Sequence, residues 1–378
     1  MVQPFPFIRV RGEPRERGLA YGRQARDRIL KGIGHYTAQV ARYELSSNDI
    51  AGLVRDYLPI IEAFEPRFVD EMRGIAEGAG VPFEDVLLIN ARTEILKLAE
   101  KPALRKSLAA SRQVPDGCTG IVVMPEATEA GRLIHAQNWD WKAECVETGV
   151  VLHVERDDGA DILTFTEAGA LARAGFNADG IAVTGNYLES DRDYRQVGVP
   201  LALIRRKVLE SDNLALAMRA VYVTGKSASN NMIVSHAGGV AIDFECAPDE
   251  TFQVHPDNGL LVHANHWVSP IALSKLQDKG VANMPSTLYR DIRARDILKP
   301  KIGAITPQDV RTALLDDFQT PYSLCQPERP NQAGVVTATV AMIVMEPALG
   351  TMQVTPLPSR GTAATDYALP ADSLRKAG

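Results

Sequence analysis

The sequence is poor in the residues that build disulfide frameworks and metal sites. Its 378 residues contain four cysteines, Cys118, Cys145, Cys246 and Cys325, and none forms a CxxC pair. This spacing excludes a zinc knuckle and a thioredoxin-like redox pair, and so few cysteines make no disulfide framework. Neither a His-Glu-x-x-His motif nor a glycine-rich phosphate loop is present, so we expect no metal and no cofactor. Each cysteine is a small buried hydrophobe or a reactive thiol.

Long apolar runs and excess positive charge are also missing. No stretch approaches the roughly 20 apolar residues that span a bilayer, and the first residues do not resemble a signal peptide. The net charge of −6 argues against binding to nucleic-acid phosphates. With 45% hydrophobic and 23% charged residues, the composition is typical of a soluble globular protein. We therefore expect a cytoplasmic protein that binds neither nucleic acid nor membrane, and the sequence leaves a homo-oligomer open.

The hydrophobic pattern changes from helical to strand-like near residue 112. Upstream, the spacing predicts helices over 13–45, 49–63 and 66–77, another that opens at Pro82, and an exposed loop over 100–115. Downstream it predicts short strands over 119–124, 132–139, 150–154, 162–165, 171–176, 181–187, 231–235, 240–245, 260–264, 335–345 and 351–355. Further helices are predicted over 201–209, 213–223, 286–298 and 307–316. This order favours an α+β layered protein over alternating βαβ units.

Cys118 lies where the loop meets the first predicted strand, in the segment Pro115-Asp116-Gly117-Cys118-Thr119-Gly120. A thiol can attack the carbonyl of its own preceding peptide bond if the backbone is bent and uncrowded, and Gly117 allows both. Hydrolysis after such an N→S shift would free the α-amine of Cys118. That amine, with an ordinary pKa of about 7.7–8.0, can act as general base for its own thiol. An ordinary turn before a strand-start cysteine is the alternative.

Three polar strand ends offer partners for this thiol. Asp140 ends the segment Gln137-Asn138-Trp139-Asp140, and an antiparallel return would bring its carboxylate back beside Cys118. Asn265 follows one apolar strand and Asn186 lies near the end of another, where a side-chain amide can donate to the oxyanion of an acyl-transfer intermediate. The alternatives are a packed aromatic corner around Trp139 and asparagines that cap backbone groups.

Three segments in this order resemble the acyl-coenzyme A:6-aminopenicillanic acid acyltransferase family, the peptidase C45 branch of the N-terminal nucleophile hydrolases. They are Asp116-Gly117-Cys118-Thr119, Gln137-Asn138-Trp139-Asp140 and Val262-His263-Ala264-Asn265-His266. The resemblance implies a four-layer αββα sandwich of the N-terminal nucleophile hydrolase type. It also implies an inactive precursor that cleaves itself between Gly117 and Cys118. The products would be an N-terminal helical chain, 1–117, and a β-rich catalytic chain, 118–378, both parts of one domain.

The resemblance also assigns roles to single residues. Cys118 is the nucleophile, Asp140 contacts its amine, and Asn265 lies on the oxyanion side. Asn186 is similar, more loosely, to an asparagine of the choloylglycine hydrolases. The chain departs from the family at Val335-Val336, where the acyltransferase carries a Ser-Arg pair. Neither the role of that arginine nor a penicillin-specific activity therefore carries over.

The expected function is hydrolysis of a non-peptide C–N amide bond in a small molecule through a Cys118 thioester. The first alternative is an acyltransferase that moves an acyl group from a coenzyme A thioester to an amine, since both reactions use the same catalytic residues. An uncleaved, non-enzymatic binding protein is another. A papain-like pairing of Cys118 with His263 or His266 is disfavoured because the Cys-Gly-Ser-Cys-Trp signature is missing.

The predicted loop over 100–115 lies next to the expected cleavage site and carries four basic residues. The four basic residues are Lys101, Arg105, Lys106 and Arg112. Their side chains either face an anionic group of the substrate or are solvated.

Overall fold

Two β-sheets lie face to face, and helices cover the outer face of each. The computed structural model describes residues 2–41, 47–96, 117–331 and 334–374. The four layers form the αββα sandwich that was expected, so the predicted fold class is confirmed.

Within the described residues, the helices divide into an N-terminal group, before residue 91, and a later group, after residue 200. The first group comprises α1 (Pro14–Gln24), α2 (Arg26–Ala41), α3 (Ser47–Phe64), α4 (Pro66–Ala79) and α5 (Phe83–Asn90). The later helices are α6 (Leu201–Leu209), α7 (Leu214–Tyr222), α8 (Pro270–Leu273), α9 (Thr287–Leu298) and α10 (Pro307–Leu314). Helices α1 to α7 pack on one sheet, whereas α9 and α10 pack on the other.

The strands are mostly short and, apart from β1, begin at or after Cys118. In the described residues they are β1 (Phe7–Val10), β2 (Cys118–Val123), β3 (Ile134–Lys142), β4 (Gly149–Val154), β5 (Ile162–Glu167), β6 (Ala174–Asn177), β7 (Ile181–Tyr187), β8 (Asn230–His236), β9 (Val240–Cys246), β10 (Thr251–Val254), β11 (Leu260–His263), β12 (Arg329–Pro330), β13 (Val336–Glu346), β14 (Thr351–Pro356) and β15 (Thr365–Ala368).

Each sheet has one buried face against the other sheet and one against helices. The first sheet runs β1-β4-β5-β6-β7-β8-β9-β10, and the second runs β11-β2-β3-β13-β14-β15, with β12 paired to β13. Trp139, Phe165 and Ile343 fill the space between the sheets. Because both faces of each sheet are covered, β2 and β4 to β7 are buried along their whole length.

The hairpin of β2 and β3 positions the site. Its antiparallel register sets Cys118 opposite Trp139, so Asp140 lies one residue beyond the start of β2. On its other side β2 pairs with β11, which ends at His263, two residues before Asn265. The starts and ends of three adjacent strands thus meet at one edge of the second sheet.

The predicted elements differ from the structure in a few places. The helix expected over 13–45 divides at Ala25, because α1 packs against α4 whereas α2 packs mainly against α5. The sequence also missed α8 and the strands β1, β10, β12 and β15, all of four residues or fewer, which are too short to show a clear period. The predicted loop over 100–115 and residues 42–46 lie outside the described residues.

Helices α1 and α4 touch backbone to backbone through glycines spaced four residues apart. A Cβ on Gly18 would lie 2.1 Å from the Glu71 carbonyl oxygen, and one on Gly74 would lie 2.2 Å from the Arg15 carbonyl oxygen. Gly22 and Gly78 make equally close approaches. No larger residue fits at these positions without moving the helices apart.

We therefore expect Gly74→Ala to lower the free energy of unfolding by about 1–3 kcal/mol, because the methyl group overpacks the helix contact. Urea denaturation of the purified protein measures this change. Gly34→Ala is the matched control, since Gly34 lies in α2 with no atom within 4 Å of the added Cβ. That change should leave stability unchanged or raise it by up to about 1 kcal/mol. Equal effects of the two substitutions would contradict the close packing.

Candidate active site

Cys118 is the first residue of β2 and is almost fully buried, with 1% of its surface exposed. Its backbone N–H donates to Asn265 Oδ1 at 2.7 Å. Its Sγ lies 4.0 Å from the Asp140 carbonyl oxygen and 3.8 Å from Arg173 Nη2. The structure therefore brings Cys118, Asp140 and Asn265 together, as the sequence predicted, and adds an arginine.

Gly117, the residue before the nucleophile candidate, has no space for a side chain. A Cβ there would lie 2.7 Å from Gln326 Nε2, 3.0 Å from Asp140 Oδ2 and 3.3 Å from Met284 Sδ. The carboxylate of Asp140 therefore lies directly beside the Gly117–Cys118 peptide bond. Only glycine fits here without displacing these groups.

Two polar side chains from distant parts of the chain fix the orientation of Asp140. Thr339 Oγ1 donates to Oδ1 at 2.6 Å, and Gln326 Nε2 donates to Oδ2 at 3.0 Å. Thr339 lies on β13 next to a bulge, where the pairing with β3 shifts by one residue. The buried carboxylate is thus held at a fixed position next to Gly117, with both of its oxygens hydrogen bonded.

The neighbours of Asn265 define which way its amide points. Oδ1 accepts from the Cys118 N–H and from Arg290 Nη2 at 2.8 Å, and Nδ2 donates to the Tyr187 carbonyl at 2.8 Å. Two donors on the oxygen and a carbonyl on the nitrogen are consistent with one orientation only. The backbone N–H of Asn265 donates to Thr287 Oγ1 at 2.7 Å. Asn265 therefore holds the nitrogen of Cys118, and one of its two amide hydrogens has no partner among the described residues.

Arg290 belongs to the site although the sequence analysis missed it. It lies on α9, is fully buried, and donates through Nη1 to the Cys118 carbonyl at 2.8 Å and to Thr119 Oγ1 at 3.0 Å. Burial lowers the pKa of its guanidinium, and the carboxylate of Asp140 opposes this effect. The signal was present in the sequence: Arg290 falls on the helical stripe of Ala294 and Leu298, where an apolar residue is expected.

Asn186 is near the site, but its amide is engaged elsewhere. Nδ2 donates to the carbonyls of His263 at 2.9 Å and Ala264 at 3.1 Å, which uses both amide hydrogens. Its Oδ1 accepts from Gln137 Nε2 at 2.8 Å. The structure thus uses Asn186 to hold the end of β11, and with it Asn265, against β7. It does not direct the Asn186 amide hydrogens to Cys118.

Arg173 is a second group that the sequence analysis missed. Its guanidinium carbon lies 4.2 Å from the centre of the Trp139 ring, and Nη2 approaches the Cys118 thiol as described above. A positive charge at this distance favours the thiolate form of a cysteine. Trp139, of the segment Gln137-Asn138-Trp139-Asp140, therefore packs its ring against the guanidinium of Arg173.

The two histidines of the papain-like alternative are engaged away from the thiol. His263 pairs through Nε2 with Glu245 Oε1 at 2.7 Å and through Nδ1 with the Ala264 carbonyl at 3.0 Å. Burial alone would lower the pKa of His263, but Asp243 and Glu245 raise it to about 9, so the ring is charged at neutral pH and cannot act as a base. His266 contacts Thr287 Oγ1 at 3.0 Å.

The other cysteines have the properties of core residues. Cys145, Cys246 and Cys325 are buried, and burial raises the pKa of each thiol. Such thiols are poor nucleophiles because the thiolate is scarce. In the ranges that the structure describes, no group of three or more His, Cys, Asp or Glu side chains could hold a metal ion. No helix among the described residues is long and apolar enough to cross a bilayer.

Known proteins resemble this chain in sequence over most of its length. The sequence profile of the acyl-coenzyme A:6-aminopenicillanic acid acyl-transferases matches residues 127–356. The chain belongs to this acyl-transferase family. The family resemblance of the motifs is thereby confirmed, and the protein is an enzyme of this acyl-transferase family. The matched residues include Asp140, Asn186 and Asn265 and begin nine residues after Cys118.

Two curated proteins illustrate the range of sequence similarity. The acyl-coenzyme A:6-aminopenicillanic-acid-acyltransferase 40 kDa form of Emericella nidulans is 29% identical over 261 residues, which is 68% of this chain and 68% of that protein. Protein dcd1B of Dictyostelium discoideum is 23% identical over 249 residues, 58% of this chain and 46% of that protein.

Solved structures of amide-cleaving enzymes show a distant likeness. The N-acylethanolamine-hydrolyzing acid amidase ortholog of Caenorhabditis elegans is 17% identical with a TM-score of 0.45, covering 67% of this chain and 100% of its own. Penicillin V acylase from Agrobacterium tumefaciens is 15% identical with a TM-score of 0.42, and the match covers 68% of this chain and 94% of the acylase. At TM-scores below 0.5 these likenesses carry no argument about function.

Proposed function

We propose that the protein cleaves itself between Gly117 and Cys118 and then hydrolyses the amide bond of a small molecule with Cys118 as nucleophile. One observation carries this proposal: Asn265 Oδ1 holds the Cys118 nitrogen at 2.7 Å, next to a position where only glycine fits. An ordinary strand start needs neither feature. The proposed products are the chains 1–117 and 118–378, which share one αββα domain.

In the cleavage step, Sγ of Cys118 attacks the carbonyl carbon of Gly117 and the C–N bond breaks. The nitrogen takes up a proton and becomes the α-amine of Cys118, while a thioester joins Gly117 to Sγ. Water then hydrolyses the thioester and leaves a Gly117 carboxylate. Asp140 lies beside the bond that breaks, and Arg290 donates to the Cys118 carbonyl, so the peptide is held from both sides.

In the catalytic step, the freed α-amine takes the proton of its own thiol, which places nucleophile and base on one residue. Asn265 Oδ1 is in place to hold the resulting ammonium group, and the Asp140 carboxylate lies close enough to stabilise its charge. The thiolate attacks the substrate carbonyl, the C–N bond breaks, and the leaving amine takes the proton back from the ammonium group. Water hydrolyses the Cys118 thioester and releases the acid.

Transfer of an acyl group from a coenzyme A thioester to an amine is the second candidate. The activity for which the Emericella nidulans relative and the family are named supports it. The two reactions differ only in which group donates the acyl chain and which group accepts it from Cys118.

Trapping the acyl-enzyme separates these functions. Purified protein is mixed with N-acyl amides or with acyl-coenzyme A, quenched in acid, and the mass of the 118–378 chain is measured. We expect amides to add an acyl group to Cys118 that water removes. Acylation by coenzyme A thioesters alone, with release only to added amines, would support the transferase instead. A chain of full mass that no acyl donor modifies would refute both and support a binding protein.

A further inference from the structure

The connection between β5 and β6 links the N-terminal helices to the candidate nucleophile. It comprises residues 168–173, called here the Arg173 loop, and every residue in it is buried. At its end, Arg173 Nη2 lies 3.8 Å from Cys118 Sγ, and the guanidinium lies over the Trp139 ring. Loops ordinarily run over the surface, because the backbone polar groups of a buried loop need partners inside the protein. The partners of this loop therefore determine where Arg173 lies.

Tyr21 of α1 provides the first partner of the loop. Its hydroxyl accepts the backbone N–H of Gly169 at 3.0 Å and lies 3.3 Å from the carbonyl oxygens of Glu167 and Ala170, to either of which it can donate. Burial raises the pKa of this hydroxyl, so it stays protonated at neutral pH and remains a donor. A single hydroxyl thus holds three consecutive turns of the backbone together with the helix.

Asn90, the last residue of α5, provides the second partner. Its Oδ1 accepts the N–H of Leu171 at 2.9 Å, and its Nδ2 donates to the Gly169 carbonyl at 2.9 Å. The other amide hydrogen goes to the Val86 carbonyl of the same helix at 2.9 Å. Both amide hydrogens and the oxygen are engaged, so the orientation of the side chain is fixed.

The two segments of the chain on either side of Gly117 meet at this loop. Both backbone groups of Gly169 bind side chains of the N-terminal helices, and Glu167, just before the loop, accepts from Arg92 Nε at 2.6 Å. The later segment also contacts the loop, through Arg206 Nη1, which donates to the carbonyl of residue 171 at 3.2 Å. Contacts made by the N-terminal helices can therefore act on a thiol in the later segment.

We propose that Tyr21 and Asn90 are positioning residues that hold the Arg173 loop and thereby keep the Arg173 guanidinium beside the Cys118 thiol. This inference rests on the proposed function, because it concerns the reactivity of the same nucleophile. A positive charge next to a thiol favours the thiolate. If the loop loosens, the guanidinium moves away and the thiolate becomes scarcer.

Other charged groups also reach Cys118, from other elements. Arg290 of α9 donates to its carbonyl, and the Asp140 carboxylate of β3 lies beside its peptide bond with Gly117. In the cleaved protein its own α-amine is a further charge. Arg173 is the charged group that the loop carries, so a change that acts through the loop must act through Arg173.

The rate at which iodoacetamide alkylates Cys118 tests this without a substrate. The thiolate forms an S–C bond and releases iodide, so the rate follows the fraction of thiolate. Mass spectrometry of the peptide that begins at Cys118 measures the rate between about pH 5 and about pH 9. In Tyr21→Phe, and separately in Asn90→Ala, we expect the midpoint of the pH–rate profile to rise by roughly 0.5–1 pH unit and the rate at neutral pH to fall about three- to tenfold.

A double-mutant cycle determines whether the two residues act through Arg173. Arg173→Met alone should shift the profile in the same direction and at least as far. In the Arg173→Met background, Tyr21→Phe should add no further shift, because the charge that Tyr21 positions is absent. Arg173→Gln, which keeps a polar side chain without the charge, provides the same test if Arg173→Met does not fold.

Tyr57→Phe is the matched control. Tyr57 is a fully buried tyrosine of α3 whose hydroxyl pairs with Ser227 Oγ at 3.1 Å, which is another contact between the N-terminal helices and the later segment. Its loss should lower the melting temperature as Tyr21→Phe does, but leave the midpoint of the profile unchanged. Equal shifts in the two tyrosine variants would indicate a general loosening and overturn the positioning role.

The outcomes separate this inference from the function on which it rests. A cleaved protein with the same pH–rate profile in wild type, Tyr21→Phe and Asn90→Ala keeps the proposed function and overturns the positioning role. A full shift by Tyr21→Phe in the Arg173→Met background overturns it as well. An uncleaved wild-type chain whose Cys118 is not alkylated overturns the proposed function, and the inference falls with it.

Discussion

Cys118→Ala should remain a single chain of 378 residues and lose amide turnover by roughly 10⁴-fold or more, because the proposed cleavage and the proposed catalysis use the same thiol. Denaturing electrophoresis and intact mass measure the cleavage, and release of amine from the best N-acyl substrate measures turnover. The fold should persist, since Cys118 contributes one small buried side chain. A variant that is still cut at Gly117 would show that another group opens the bond.

Cys246→Ala is the matched control for this experiment. Cys246 is equally buried in β9 but lies in the core cluster under α6 and α7, and its Sγ approaches the Phe244 carbonyl. Its loss should lower stability modestly and leave cleavage intact. Cys118→Ser adds a finer distinction: a hydroxyl is the weaker nucleophile, so we expect slow cleavage to persist while amide turnover collapses.

Asn265→Ala should lower kcat by about 10²–10³, the usual effect of removing one oxyanion donor. The same change removes the acceptor that holds the Cys118 nitrogen at 2.7 Å, so cleavage should slow as well. Asn265→Asp separates the two roles, because a carboxylate still accepts from the Cys118 nitrogen and from Arg290 but no longer donates. We expect this variant to be cleaved and to turn over substrate slowly, in steady-state kinetics.

The control for the asparagine is Asn283→Ala, an exposed residue whose amide contacts Glu189, which should behave as wild type. Near-normal kcat in Asn265→Ala would limit Asn265 to holding the amine and assign the oxyanion to another donor. Asn186 is poorly placed for that role while its amide hydrogens bind the carbonyls of His263 and Ala264. We expect Asn186→Ala to act mainly by loosening the end of β11.

The part of the site that the sequence predicted is the part built by neighbouring segments. Cys118 and Asp140 meet because one hairpin joins them, and hairpin register follows from local turn and strand patterns. Asn265 was recognisable because it ends an apolar strand. Its approach to Cys118 depends on the pairing of β11 with β2, for which the family resemblance, and not the periodicity, supplied the expectation.

The roles of the remaining groups could not be predicted from the sequence, for a physical reason. Thr339 and Gln326, which fix Asp140, are ordinary polar residues whose importance depends on where β13 and its neighbouring loop pack. Arg173 lies in a short bend before β6, where no periodic pattern marks it, whereas Arg290 shares the buried stripe of its helix with Ala294 and Leu298 but its contacts with Cys118 do not follow from that stripe. Their roles follow from tertiary contacts across more than 50 residues of sequence, which no local pattern encodes.

The parallel pairing of β1 with β4 makes the N-terminal segment part of the folded sheet, unlike a propeptide that can be removed without loss of the fold. Residues 7–10 supply an edge strand of the first sheet, and α1, α2, α4 and α5 supply much of its outer layer. After the proposed cleavage of the Gly117–Cys118 bond, the two pieces would form an obligate heterodimer, because loss of one would expose the core of the other. Unfolding then becomes a dissociation, so the midpoint of denaturation should rise with protein concentration in the mature enzyme and be independent of it in the single-chain Cys118→Ala form.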